Sequence, residues 1–573
     1  MKKGHSSPTV AGRWMEGRWK SLGLRVLYGF GLFLVALPVG LLLIALTEHI
    51  PPTMGQAFGV QGSDAGRSVW TFAALLPVVG LIIWAAGREG AKADIAWIMA
   101  PILRHDLMEN MGKGGSSQFA GLAEEWSYQW RPGGVRLGRS LFDDSLIGLD
   151  SELGLLTIAA SGAGKGRAAI IPNLLTWPGS VVVVDPKGTN AAVTAARRGN
   201  GGGRVTDCLG QPVHILDPFG IVAGVKSSAF NPLSAVDLAG NRAKEDIGLI
   251  ADALVVSTGP KDAHWDEGAR TILSGIIAHL LSIYASPLRV LGHEKKMPSL
   301  LDVRAALRQG ADGLDSLFDA MSKNPVAGGL AQAAASLVEN AGTNERGGLM
   351  TTALRNTSWL DSVAMAGVLG RSDFQMSDLK AAPVSIYVVL PPDLLDEHSR
   401  FMRLFVNLTV RAASQGGKSQ VPILLVMDEF FSLGPLSALS KASGLLRSYG
   451  LRLWPILQNL SQLRELYPQN WQTFFANAGA VQIFGVNDRA TAQEIVATLG
   501  QAVWLEKVDQ RSMRMTANLL EAAELEKLTE RGTGLQIVLP SGRAPLLLKK
   551  TNYDQDPDFT RAMYAPDPDH PES

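Results

Sequence analysis

The 573-residue sequence contains little cysteine and has no excess of charge of either sign. Its single cysteine, Cys208, excludes an intramolecular disulfide framework and argues against a Cys-based zinc site. The 53 Lys and Arg residues equal the 53 Asp and Glu residues in number, so the chain cannot hold nucleic acid through overall positive charge. With 46% hydrophobic and only 18% charged residues, the composition is not that of a disordered protein, and the length predicts two or more domains.

The charges are unevenly distributed along the chain. Segment 1–105 has ten basic and five acidic residues, and it contains two uncharged runs, Val26–Leu46 and Val69–Ala86. At 1.5 Å rise per residue each run is about 27–32 Å long as a helix, close to the hydrocarbon thickness of a bilayer. A cleavable signal peptide and buried core helices are the alternatives. The first run exceeds a signal-peptide core and a second follows it, so we expect two membrane spans.

The position of the basic residues predicts the orientation of these spans. Six Lys and Arg residues precede the first span, whereas the loop between the spans contains only Arg67. The positive-inside rule therefore places both chain ends in the cytoplasm. Residues 1–105 are predicted to be a hairpin anchor in a bacterial inner (cytoplasmic) membrane, with the basic residues near anionic lipid.

A candidate phosphate-binding loop follows the anchor. The apolar run Leu155–Ala160 predicts a strand and Arg167–Leu175 predicts the start of a helix. The residues between this strand and this helix, together with the first residue of the helix, are the candidate nucleotide-binding residues. They are Ser161, Gly162, Ala163, Gly164, Lys165, Gly166 and Arg167. Small residues allow backbone N–H groups to surround phosphate oxygens, and Lys165 would reach the β- and γ-phosphates of a nucleotide such as ATP. Ala159 replaces the usual first glycine and Gly166 replaces the usual Ser or Thr, so an ordinary glycine-rich turn is the alternative for this motif alone.

A second motif lies far downstream. The apolar run from Val421 ends in Asp428 and Glu429, as expected for a buried parallel strand that delivers acids to its carboxyl end. Asp428 would hold Mg²⁺, and Glu429 would orient or deprotonate the attacking water. Gln458 follows the next predicted strand, where it could sense the γ-phosphate. A buried strand that ends in solvated acids is the alternative, but the pairing with Lys165 favours a nucleotide-hydrolysis site.

Further apolar runs predict a doubly wound parallel α/β sheet. They are 180–184, 213–216, 384–390, 451–457 and 480–484. Helical patterns replace the strand rhythm from about Asp237 to Thr352. We therefore predict a nucleotide-binding domain in two parts, 106–235 and 353–550, with a mainly helical insertion at 236–352. The acidic, proline-rich residues 551–573 predict a flexible tail, either simply solvated or used to recruit cargo.

The order of the motifs resembles that of the type IV secretion coupling proteins, the TraG/TraD-like membrane ATPases of conjugation. The similarity rests on two spans followed by SGAGKG at 161–166, DPKG at 185–188, LPPD at 390–393, LLVMDEF at 424–430 and ILQNLSQL at 456–463. It implies a RecA-like P-loop domain interrupted by an all-α domain, assembled as a homo-hexamer beneath the membrane. It also implies ATP and Mg²⁺ as cofactors, and an arginine donated by the neighbouring subunit. Arg447 has the matching position for that arginine, and Arg452 and Arg489 are alternatives.

Three functions are compatible with these features. The first is a motor that couples ATP hydrolysis to transfer of a relaxase–DNA complex or effector proteins into a type IV secretion channel, gripping DNA non-specifically. The second is a nucleotide-regulated receptor for protein cargo, and the third is a chromosome-partitioning DNA translocase. The motif contexts favour the coupling family over the translocase. The sequence does not identify the cargo.

Overall fold

Eleven strands of a single sheet organise the part of the chain that this computed structural model describes. The described residues are 117–571, except 257–258, 287–295, 420–421, 443 and 509–510. They fall in one unit, Asn110–Ser573. Both predicted membrane spans lie outside the described residues.

The strands are β1 Val135–Ser140, β2 Leu146–Leu149, β3 Gly154–Ala159, β4 Val181–Asp185, β5 Val213–Leu216, β6 Ser385–Val389, β7 Ile423–Met427, β8 Leu451–Leu457, β9 Ala478–Phe484, β10 Gln501–Val508, β11 Arg511–Asn518, β12 Leu535–Pro540 and β13 Leu546–Lys549. The helices are α1 Leu122–Trp126, α2 Ile171–Thr176, α3 Thr189–Arg198, α4 Ala243–Leu254, α5 Ala263–Ala285, α6 Leu300–Leu307, α7 Ala311–Ser322, α8 Val326–Asn340, α9 Thr343–Thr357, α10 Val363–Leu369, α11 Asp378–Ala381, α12 Leu395–Ser414, α13 Ser437–Ala442, α14 Leu460–Leu466, α15 Trp471–Ala476, α16 Arg489–Leu499 and α17 Ala522–Leu528.

The sheet is mixed rather than purely parallel. Its strand order is β2-β1-β13-β12-β9-β3-β8-β7-β4-β6-β5. The seven strands from β9 to β5 are parallel to one another, and every strand predicted from an apolar run lies in this half. The strands from β12 to β2 pair antiparallel and extend the sheet beyond β9. The expectation of a wholly parallel sheet is therefore corrected. The four antiparallel strands β12, β13, β1 and β2 lie at one edge of the sheet, where short hairpins can connect antiparallel neighbours without crossover helices.

Alternating side chains cover both faces of the parallel half. In β4, Val181 and Val183 pack on the face covered by Trp177, whereas Val182 and Val184 pack on the face covered by α12. Every residue of this strand is buried. Strands buried on both faces read as continuous apolar runs, which is why the runs in the sequence predicted them.

The described residues between β5 and β6 are helical wherever their secondary structure is regular, from α4 to α11. Helix α5 is the centre of this helical layer, and Ile272, Ile276 and Leu281 along it are buried. Among the described residues, α5 is also the one helix long and apolar enough to span a membrane. Because most of its apolar window is buried inside the fold, we interpret it as a core helix.

The carboxyl-terminal segment, residues 551–571, is packed against the sheet domain, which corrects the prediction of a flexible tail. Tyr553, Phe559 and Tyr564 are buried in a cluster with Ile171 of α2 and Val193 of α3. The acids of the segment pair with arginines on β1: Asp556 lies 2.8 Å from Arg139, and Asp558 lies 2.9 Å from Arg136. The aromatic anchors and the partner arginines outweigh the acidic, proline-rich composition on which the prediction was based.

Candidate nucleotide site

The candidate phosphate-binding loop connects β3 to α2 through a π-helical turn, Gly166–Ile170. Gly162 and Gly164 have φ values of +74° and +88°, a backbone region that favours glycine. Ala168 N–H donates to Gly164 O at 2.8 Å, which closes the first turn after the loop. Apart from chain neighbours, no heavy atom of the described chain lies within 4 Å of a Cβ built at Gly164 or Gly166. The loop therefore presents an open cradle at the carboxyl edge of the sheet.

Strand order brings the other predicted residues to the same edge. Strand β8 lies between β3, which carries the loop, and β7, which ends just before Asp428. Lys165 Nζ is 2.8 Å from Asp428 Oδ1 and also donates to Glu429 Oε1. Gln458, directly after β8, donates from Nε2 to Glu429 Oε2 at 3.0 Å. The structure thus joins Lys165, Asp428, Glu429 and Gln458 in one hydrogen-bonded cluster.

The backbone at the end of β7 is unusual. Glu429 has a φ of +58°, one of the few positive values among non-glycine residues in the described chain. Its own N–H donates to Asp428 Oδ1 at 3.1 Å, and Asp428 N–H continues the sheet ladder to Val184 O at 3.3 Å. Such a sparsely populated conformation persists only where the surroundings hold it, and it directs both carboxylates toward Lys165.

The three charges in the cluster shift one another's ionisation. Burial raises the pKa of Asp428 above its usual value, and the attraction of Lys165 offsets only part of that rise. Burial also acts to raise the pKa of Glu429, but the charge of Lys165 and the hydrogen bonds from Lys165 and Gln458 lower it overall. Burial alone would lower the pKa of Lys165, but the two acids raise it. Lys165 therefore remains a cation, and Glu429 is the more readily ionised carboxylate.

The residues fit a nucleotide with Mg²⁺ better than a metal bound by protein alone. Among the described residues, no group of three or more His, Cys, Asp or Glu side chains forms a metal site. Mg²⁺ is commonly held by one or two carboxylates together with substrate phosphates and water, and Asp428 beside the open cradle provides that partial ligand set.

The three candidate arginines occupy different places. Arg447 is exposed and lines a cleft at the amino-terminal end of β3 and β8, away from the phosphate loop of its own chain. Arg452 is only 6% exposed, and its guanidinium lies 4.9 Å from the centre of the Trp177 ring. Arg489 is exposed at the start of α16, after β9. Arg452 is therefore buried in a packing role, whereas Arg447 and Arg489 are exposed.

Arg167 is placed differently from the other loop residues. Its guanidinium pairs with Asp554 of the carboxyl-terminal segment, with Nε 2.6 Å from Oδ1, and its carbonyl accepts from Tyr553 N–H at 3.1 Å. No local pattern predicts this pair, because 387 residues separate its members.

Two more residues at the site were not predicted. Asp185 is the last residue of β4, which pairs in parallel with β7, the strand that ends just before Asp428. Asp185 is 1% exposed. Its carboxylate accepts from Ala191 N–H at 2.8 Å. Gly485, after β9, lies against the loop so closely that a Cβ there would collide with Ala163. The acid before Pro186 and the glycine after a strand were the available signals.

Comparison with known proteins agrees with this geometry. The fold and the site define a mixed α/β nucleotide-binding protein. Residues 130–571 match the family described as "Type IV secretory system Conjugative DNA transfer", and the chain belongs to this family. The predicted resemblance to type IV secretion coupling proteins is therefore confirmed.

Individual relatives cover much of the chain at low identity. Conjugal transfer protein TraG of Agrobacterium fabrum is 25% identical over 521 residues, which are 88% of this chain and 71% of the relative. TraG of Escherichia coli is 26% identical over 64% of this chain and 58% of its own length. Protein VirD4 of Rhizobium radiobacter is 26% identical over 70% of this chain and 57% of its own length. The chain thus spans little more than half the length of the latter two.

Solved structures show a similar fold. The bacterial conjugative coupling protein TrwBdeltaN70 aligns with a TM-score of 0.58 at 17% identity, covering 78% of this chain and 96% of that structure. The plasmid coupling protein TrwB in complex with ADP and Mg²⁺ aligns with a TM-score of 0.57 at 17% identity, covering 79% and 97% respectively.

Proposed function

We propose that this chain is a membrane-anchored ATPase that couples ATP hydrolysis to transfer of substrate into a type IV secretion channel. The observation that carries the proposal is the convergence of Lys165, Asp428, Glu429 and Gln458 beside an open phosphate loop. Membership of the conjugative DNA transfer family supports the transfer role. The TrwB structure with ADP and Mg²⁺ supports the choice of cofactors.

Each residue has a defined task in this proposal. The loop from Ser161 to Gly166 binds the phosphates of ATP, and Lys165 neutralises their charge. Asp428 would hold Mg²⁺, which would offset the negative charge of the phosphates. Glu429, the more acidic carboxylate, orients the attacking water and accepts its proton, while Gln458 keeps Glu429 in place.

The proposal includes the location and the assembly. Residues 26–46 and 69–86 would span the inner membrane, and the nucleotide domains would form a cytoplasmic homo-hexamer. Channel components, a relaxase–DNA complex or effector proteins, non-specific DNA and membrane lipid are the proposed partners. In a ring, Arg447 of one subunit would complete the site of the next, since it lies away from its own phosphate loop.

The test is ATP turnover by the purified full-length chain. Lys165→Ala removes the cation that contacts both carboxylates, and we expect turnover to fall to background while membrane insertion is unchanged. Lys418→Ala is the matched control, because Lys418 forms an exposed ion pair with Glu152. Turnover at the control level in Lys165→Ala would contradict the assignment of the site.

A second measurement separates the motor from the receptor. Turnover that rises on addition of DNA supports a motor. Turnover that is unaffected by DNA, together with tight binding of protein cargo by the same full-length chain, supports the nucleotide-regulated receptor.

A further inference from the structure

A second group of basic side chains lies at the rim of the candidate phosphate loop. The group lies far along the chain from Lys165 and Asp428: it consists of the turn Glu530–Gly534 between α17 and β12, and of Lys550, which follows β13. Nη1 of Arg531 lies 4.0 Å from the position that a Cβ would occupy at Gly162. The Arg531 guanidinium is therefore next to Gly162 of the phosphate loop in the same chain.

The turn that carries Arg531 is held in place by its own hydrogen bonds. The Thr533 hydroxyl donates to Leu528 O and Glu530 O, each at 2.8 Å, and accepts from Leu535 N–H at 3.1 Å. Gly534 has a φ of +66°, and its carbonyl accepts from Lys550 N–H at 2.7 Å. These bonds connect the turn to the backbone of Lys550, so that Arg531 and Lys550 are held near each other.

The turn is also connected to the phosphate loop through β9. Thr529 is buried, and its carbonyl accepts from Gly485 N–H at 2.7 Å. Gly485 in turn lies directly against Ala163 of the loop. Lys550 Nζ lies 5.4 Å from the centre of the Phe484 ring, one residue earlier on the same strand. The loop, the end of β9 and the basic turn thus form one packed unit.

Arg531 is available to a ligand. It is exposed, and within the described part of the chain no carboxylate lies in ion-pair distance of its guanidinium. Arg167, by contrast, is occupied by Asp554. An exposed arginine beside an anion-binding loop, without an acid to neutralise it, is suited to bidentate contact with phosphate oxygens.

We propose that Arg531 binds the polyphosphate of the nucleotide in cis, as a phosphate-contacting arginine of the same chain that supplies Lys165, with Lys550 adding charge behind it. This inference rests on the proposed nucleotide-binding function. It assigns a further residue to that site, and it differs from the neighbouring-subunit arginine in both the chain of origin and the side from which it approaches.

The first test compares Arg531→Ala with Arg543→Ala in the full-length chain. Arg543 is the matched control, because it is an exposed arginine in the turn at the opposite ends of β12 and β13. Loss of a charge-assisted contact should weaken binding of a fluorescent ATP analogue, and lower kcat/KM for ATP, by about 10- to 100-fold. The thermal midpoint should match that of the control, and Arg531→Lys should recover part of the loss. Unchanged affinity and unchanged kcat/KM in Arg531→Ala would overturn the proposal.

The second test distinguishes cis from trans action by mixing two impaired variants before assembly and measuring turnover at an ATP concentration below the wild-type KM. If Arg531 and Lys165 of one chain serve one site, a mixture of Arg531→Ala and Lys165→Ala chains contains no complete site, and turnover stays low. Recovery of turnover in the mixture would overturn the cis assignment.

The binding measurement keeps this inference separate from the proposed function. If Lys165→Ala turned over ATP normally, the hydrolytic site would be wrong, whereas Arg531 would still be judged by the affinity for the ATP analogue. If Arg531→Ala unfolds at a lower temperature than the control, the comparison is made with Arg531→Gln, for which wild-type affinity would likewise overturn the proposal.

Discussion

Asp554 holds the guanidinium of Arg167 through both of its carboxylate oxygens, and so ties the end of the chain to the first residue after the phosphate-loop glycine Gly166. Nε of Arg167 lies 2.6 Å from Oδ1, and Nη2 bonds to Oδ2. The next backbone contact, from Tyr553 N–H to Arg167 O, continues the attachment. The acidic carboxyl-terminal segment is therefore a structural strap over the nucleotide domain, and Arg167 acts as its anchor.

Replacing Asp554 with Asn should loosen this strap. The neutral amide cannot pair with the charge of Arg167, and loss of a hydrogen bond to a charged group should lower the free energy of unfolding by about 1–3 kcal/mol. Trypsin should then cleave faster after Arg561, which is exposed within the strap. Thermal unfolding and timed proteolysis measure the two effects. Asp569→Asn is the control, because the Asp569 carboxylate accepts an exposed hydrogen bond from the Thr189 hydroxyl. Equal behaviour of the two variants would show that the pair does not hold the strap.

Glu429→Gln should separate nucleotide binding from hydrolysis. The amide keeps the size of the side chain but cannot accept a proton from water, while Asp428 and Lys165 retain their 2.8 Å contact. We expect an ATP analogue to bind within a few-fold of wild type and turnover to fall by at least about 100-fold, the lower range for loss of a general base. Glu152→Gln, at an exposed ion pair, is the control. Loss of binding in Glu429→Gln would mean that Glu429 has a structural role instead.

The parallel half of the sheet could be predicted because its strands carry their own local signals. The runs at 213–216 and 451–457 have the same bounds in sequence and structure, and β3 begins one residue earlier than predicted. Strands β4, β6, β7 and β9 are buried along their whole length, so their residues differ clearly from their flanks. Lys165, Asp428, Glu429 and Gln458 could be placed for the same reason, since parallel strands bring their carboxyl ends to one edge.

The remaining features depend on contacts between distant parts of the chain. Arg531 reaches Gly162 from a turn more than 300 residues downstream, and Asp554 reaches Arg167 across 387. The strap has the composition of a disordered segment, but its few aromatic residues find a cluster formed by α2 and α3. Among the antiparallel strands, β2 and β13 have only four residues each, and the residues of β13 alternate between buried and more exposed positions. Local sequence does not distinguish such segments from loops.

Asp185 predicts a pH dependence of stability. Burial raises the pKa of this carboxyl to about 7, although hydrogen bonds from Ala191 and Asn190 oppose the shift. Its ordinary value is 3.8, so between about pH 4 and 7 the folded chain retains a proton that the unfolded chain releases. The stabilisation from protonated Asp185 is complete below pH 3.8 and is lost as the pH rises through about 7.

Asp185→Asn should reduce this loss of stability with rising pH, because the amide does not ionise. Thermal midpoints of the full-length chain, measured without nucleotide and Mg²⁺ from about pH 4.5 to 7.5, should decline less steeply in the variant, each pKa unit corresponding to about 1.4 kcal/mol. Asp569→Asn, which changes an exposed acid, should retain the wild-type slope. Parallel slopes for Asp185→Asn and wild type would contradict the assignment of the proton to Asp185.

Arg447 should behave in the opposite way to Arg531 when inactive chains are mixed. It is exposed on a cleft at the amino-terminal end of the parallel strands, whereas the phosphate loop lies at their carboxyl edge. Arg447→Ala should therefore lower turnover without lowering the thermal midpoint, by roughly the 10³-fold or more seen for arginines supplied in trans. In contrast, Arg452→Ala should lower the midpoint, since it removes a buried side chain stacked on Trp177.

Mixing Arg447→Ala with Lys165→Ala chains before assembly should restore part of the turnover, because some sites then combine an intact Lys165 with an intact Arg447 from the neighbouring subunit. If the mixture stays inactive while an Arg489→Ala and Lys165→Ala mixture recovers, Arg489 is the arginine that acts between subunits.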